Sequence, residues 1–107
     1  MKGRLLRPPR LRRSALYLPG SNARALEKAR SLPTDVLLLD CEDAVAPDAK
    51  ELARSQIGEA LSSAGYGRRE LVVRVNAMSS PWGLKDVRAV AGIDRCDAIL
   101  LPGVIRR

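Results

Sequence analysis

The chain has 107 residues, 46% of them hydrophobic, and a formal net charge of +7 from 19 basic and 12 acidic side chains. That length allows one domain with a real core, hiding roughly 60–70% of the unfolded surface, but is short for the larger enzyme folds. With no histidine and only Cys41 and Cys96, it excludes a zinc finger, a Cys/His nucleophile pair and a Ser-His-Asp triad within this polypeptide.

No run of eighteen apolar residues exists, so no membrane span is expected. The two cysteines read as small reduced core residues of a cytoplasmic protein. Residues 1–13, MKGRLLRPPRLRR, hold six basic residues and no acid, and Arg106 and Arg107 add two more; segment 14–105 is therefore close to neutral. A basic arm suits nucleic acid, an acidic membrane surface or a targeting role. Pro8-Pro9 breaks any amphipathic helix, however, and no aromatic residue is interleaved to stack on bases. The arm reads as a disordered leader, with neither nucleic acid nor membrane expected as a partner.

From Ser14 the pattern changes. SALYLPG (14–20) predicts a buried strand closed by a turn, and SNARALEKARSLP (21–33) a helix capped by Ser21 or Asn22 and stopped by Pro33. TDVLLLD (34–40) is a continuous apolar run, the mark of a strand buried on both faces in a parallel sheet. Pro47 opens the clearest helix, where Ala49, Leu52, Ala53, Ile57, Ala60, Leu61 and Ala64 recur at helical spacing until Gly65. ELVVRVNA (70–77), PWGLKDVRAVAG (81–92) and CDAILLPG (96–103) predict a strand, a shorter helix and a fourth strand. The order is βαβαβαβ, an α/β fold with a parallel sheet.

In such folds the carboxyl ends of strands line the ligand site. The second strand ends in Asp40, Glu42 and Asp43, the third in Arg74 and Asn76, so these groups should share one rim. Period-two geometry puts Asp40 with Glu42, and Arg74 with Asn76. A guanidinium inside an apolar strand needs carboxylate partners. Either Glu42 or Asp43 pairs with Arg74 and orders the loops, or a ligand carboxylate does. Clustered acids could also hold Mg²⁺, although DCED alone is a weak metal signal. PGSNAR has neither a P-loop nor a dinucleotide fingerprint and reads as a helix start. Trp82 and Gly83 read as packing and a turn, and Asp86 as a solvated helix residue.

RRSALYLPGSNARALEKA, DVLLLDCEDAVAPDAKELAR, ELVVRVNAMSSPWGLKDV and AILLPGV, in that order, resemble the first half of the citrate lyase β-subunit family, with its malyl-CoA-type lyases, within the HpcH/HpaI aldolase superfamily. The likeness runs from about Arg12 to Val104. It implies a TIM-type (β/α)8 barrel that breaks or forms a carbon–carbon bond in a 3-hydroxyacyl-CoA thioester with magnesium. By that resemblance Arg74, with Asn76 beside it, holds the substrate carboxylate. Glu42 and Asp43, backed by Asp40, hold the water shell of the metal, and LYLPG with its helix lies on the thioester side. The implied partners are an acyl-CoA and a small keto or hydroxy acid.

Two departures bear on this. Cys41 stands where the family commonly has leucine, a tolerable apolar change. Gly103 stands where it commonly has lysine, and the family's metal-ligating glutamate and aspartate belong to later strands. Eight strands make a barrel and four are counted here. The expectation is therefore an N-terminal half-barrel, truncated and inactive alone, with no direct metal ligand and with open edges that favour self-association or a complementing chain. The alternative is a non-catalytic acyl-CoA or carboxylate-binding subunit of a lyase complex.

Overall fold

A computed structural model describes residues 14–63 and 65–102. The reading of residues 1–13 as a leader lies outside them. Elements run β1 (Ala15–Pro19), α1 (Ala23–Lys28), β2 (Val36–Asp40), α2 (Lys50–Ser62), β3 (Glu70–Arg74), α3 (Gly83–Ala91) and β4 (Ala98–Leu100). The expected alternation is present with shorter elements. Asn22, not Ser21, caps α1, its Oδ1 accepting from the Ala25 amide at 3.0 Å. The first helix is briefer than expected because its last turn tightens into a 3-10 turn over Ala29–Ser31 before Pro33. Pro47 likewise opens a 3-10 turn, Pro47–Ala49, and α2 proper starts at Lys50.

All four strands are parallel in the order β1-β2-β3-β4. Strand order follows chain order, so among the described residues there is no reversal point and the crossovers fall on one side. The registers confirm this. Leu16, Leu37 and Leu71 align, as do Leu18, Leu39, Val73 and Ile99. These residues form one core with Leu26 of α1, Ile57 and Leu61 of α2 and Val90 of α3. Burying each large aliphatic side chain contributes about 1.5–3 kcal/mol.

The opposite face carries Tyr17, Leu38, Val72 and Ala98 in register. Tyr17 is 47% exposed, and the other three are partly exposed. The expectation that the second strand is buried on both faces therefore holds less well at Leu38. The sheet has a helix-covered face and an open apolar face, as a sector of a barrel wall has.

Gly83, expected only to make a turn, has a sharper requirement. A Cβ there would run into the backbone carbonyls of Ala77 and Asn76. Only glycine lets α3 start so close to the end of β3.

Candidate functional site

Asp40 and Arg74 are the last residues of β2 and β3 and lie opposite each other in the register. Arg74 Nε donates to Asp40 Oδ1 at 2.8 Å and Nη2 to Oδ2 at 3.0 Å, a bidentate pair. Glu42 Oε1 lies 3.2 Å from the same Nε, and the Tyr17 ring of β1 stacks 5.0 Å from the guanidinium carbon. The partner that the structure gives Arg74 is chiefly Asp40, with Glu42 in support; the sequence had pointed to Glu42 or Asp43. Asp40 consumes the Nε/Nη2 edge of the fork. Among the described residues Nη1 makes no hydrogen bond, and part of the side chain stays exposed.

Asp40 is fully buried and also accepts from the Glu42 amide at 2.9 Å and the Ala44 amide at 2.8 Å. Burial alone would raise its carboxyl pKa. The Arg74 hydrogen bonds and the two amides outweigh that and hold it below the usual aspartate value. The same contact with Asp40 raises the pKa of Arg74. Four donors on two oxygens leave Asp40 an orienting role rather than a metal-binding one.

Asn76 lies deeper than the rim. Its side-chain amide donates to Cys41 O at 2.9 Å and Asp86 Oδ2 at 2.6 Å, and its backbone N–H donates to the same Asp86 oxygen at 3.0 Å. The strand ends at Arg74, so period-two geometry does not extend to Asn76, which is 3% exposed. Asp86 is not the solvated helix residue that its sequence position suggested. It has no exposure and accepts from Arg54 Nε at 2.9 Å, because the close start of α3 turns it under the end of β3.

Glu42 is partly exposed and Asp43 exposed on the loop above Asp40. Lys50, which the sequence reading passed over, reaches beneath this loop. Its ammonium donates to Cys41 O at 3.1 Å and Glu42 O at 2.7 Å. The only available signal was a lysine at the start of a helix, where the dipole disfavours a cation. Nothing in the sequence pointed to Arg54 or to Tyr17 as a stacking partner.

Cys41 and Cys96 are both buried, as expected. Burial first, then the Asp86 and Asp40 charges, pushes the Cys41 thiol up to about 12, so it is inert.

Among the described residues no three Cys, Asp or Glu side chains are grouped to hold a metal. Glu42 and Asp43 are hard oxygen donors suited to a cation's waters but do not make a complete set of ligands. An open cavity of about 370 Å³ between α1 and α2 is lined by Leu26, Arg30, Gln56, Ser63 and Tyr66 among others. None of the rim residues contributes to it.

The HpcH/HpaI aldolase/citrate lyase family model matches residues 13–106. The chain belongs to that family. Among curated relatives, a (3S)-malyl-CoA thioesterase of Cereibacter sphaeroides is 52% identical over 92 residues, which are 86% of this chain and 32% of the relative. An L-malyl-CoA/β-methylmalyl-CoA lyase of the same species is 42% identical over 100 residues, 91% of this chain and 31% of the relative. The chain thus spans about a third of the length of these relatives. Among solved structures, Mycobacterium tuberculosis CitE, in complex with magnesium, acetoacetate and coenzyme A, superposes with a TM-score of 0.65 at 27% identity. That match covers 88% of this chain and 33% of CitE. The parallel four-strand unit is accordingly the N-terminal sector of the family's barrel.

Proposed function

We propose that this chain carries the carboxylate-binding wall of an acyl-CoA enzyme of the citrate lyase and malyl-CoA lyase kind. One observation carries the reading. Arg74 is fixed by Asp40 through one edge of its fork and stacked by Tyr17, which leaves the second edge at the rim of the open face for a planar carboxylate. Arg74 binds and orients the acid end of the substrate without moving, since Asp40 and the loop amides already hold it. Asn76 supports the rim from beneath. Glu42 and Asp43 would help to hold the water shell of a bound magnesium ion, which would supply positive charge to polarise the substrate oxygens.

The reaction that this reading favours is carbon–carbon cleavage of a 3-hydroxyacyl-CoA. Thioester hydrolysis is the second reading, supported by the 52% identical relative being a thioesterase. A chain that only binds the acyl-CoA or the acid, without turnover, is the third, supported by the incomplete ligand set among the described residues. The open face calls for cover from a second copy or a complementing chain.

Calorimetry with acetoacetate tests the site itself, with binding expected in the wild type and lost in Arg74→Ala. Equal affinity in the two would remove Arg74 from the site. With malyl-CoA and magnesium, formation of acetyl-CoA and glyoxylate identifies a lyase and release of free CoA a thioesterase. The 107-residue chain alone is expected to bind with negligible turnover, so the product assay is run with a complementing chain present.

A further inference from the structure

The geometry points to Lys50 as a positioning residue that sets the acidic rim loop. Lys50 is the first residue of α2, 6% exposed, and its ammonium turns inward. A buried cation at the positive end of a helix is doubly unfavourable, through desolvation and through the dipole. Such a local conflict is expected where a site demands it. The ammonium meets two carbonyls, Cys41 O and Glu42 O, and lies 5.2 Å from the centre of the Trp82 ring.

The loop is held from two sides. From the sheet side, Asp40 takes the amides of Glu42 and Ala44, and Arg74 O takes the Cys41 amide at 2.8 Å. From the helix side, Lys50 takes the two carbonyls. With both carbonyls drawn inward, the Glu42 side chain is left on the rim side, 3.2 Å from Arg74, and Asp43 stays exposed beside it. Lys50 also places a positive charge behind three carboxylates that would otherwise repel one another.

Removing the charge need not break the fold. Cys41 O still accepts from Asn76 Nδ2 at 2.9 Å and Glu42 O from the Val45 amide at 3.0 Å, so neither carbonyl is orphaned. Lys50→Met keeps the apolar stem against Trp82. Lys50→Arg keeps the charge.

The inference rests on the carboxylate-binding reading, and two measurements separate them. Nitrogen-15 relaxation without ligand reads the order of Glu42, Asp43 and Ala44 in wild type, Lys50→Met and Lys50→Arg. Titration with acetoacetate then reads affinity. Expected are a thermal midpoint near wild type for Lys50→Met, a loss of loop order, and binding weakened about tenfold or more, with order and affinity recovered in Lys50→Arg. Lys50→Gln replaces the methionine variant if that one unfolds. A Lys50→Met loop as ordered as wild type overturns the inference, and so does a disordered loop with undiminished affinity. An ordered wild type that does not bind acetoacetate sinks the carboxylate-binding reading, and loop order still decides the role of Lys50.

Discussion

Asp40 and Arg74 form a pair in which each member controls the other. Asp40 is fully buried and the Arg74 side chain 21% exposed, so removing the acid strands a largely desolvated guanidinium. Asp40→Ala is expected to cost about 3 kcal/mol in chemical denaturation, reduced to the extent that Glu42 takes over. The pH dependence follows in sign. The folded carboxyl titrates below its unfolded value of about 3.9, so its contribution is complete above that value and fades as pH falls through the depressed folded pKa. Acid titration of the wild type should show this loss, and Asp40→Asn should flatten it. The Asp40, Arg74 and Glu42 rim was legible because a charged residue inside LVVR must find a partner. Which acid would answer was not legible, since it depends on a register that pairs residues 34 positions apart in the chain.

At the scale of elements, the loop after β2 is joined to α2 by Lys50 and, just past the end of β3, to Asn76, which Asp86 of α3 holds in turn. Arg54 of α2 reaches the same Asp86. Replacing Asp86 by asparagine leaves the Arg54 charge largely buried without a counter-ion, an expected cost of about 3 kcal/mol. Hydrogen exchange at the Asn76 amide, which donates to Asp86, should accelerate more than exchange at Leu37 in the core. Uniform acceleration would mean that the contact stabilises the whole fold rather than this junction. Sequence periodicity placed each element within a few residues. It misread Asp86 because helical spacing alone does not tell which face a short helix turns toward its neighbour when Gly83 brings it so close.

For the whole molecule the consequence lies on the uncovered face. Tyr17, Leu38, Val72 and Ala98 present apolar surface beside the two outermost strands, β1 and β4. Exposed strand edges and apolar faces favour association. Sedimentation velocity is expected to show concentration-dependent self-association of the 107-residue chain, and Tyr17→Glu to shift it toward monomer by placing a charge on that face. A monomer at high concentration in the wild type would contradict this.

Sequence patterning alone determined the strand–helix alternation, the parallel sheet, the acid and arginine rim and the family likeness, because each depends on local apolar period, turn chemistry or residue order. Only the tertiary structure decided that Asp40 takes Arg74, that Asn76 and Asp86 are buried together, and that Lys50 holds the rim loop from below. Those are contacts between strands and helices distant in the chain, and their geometry exists only once the sheet has aligned its strand ends.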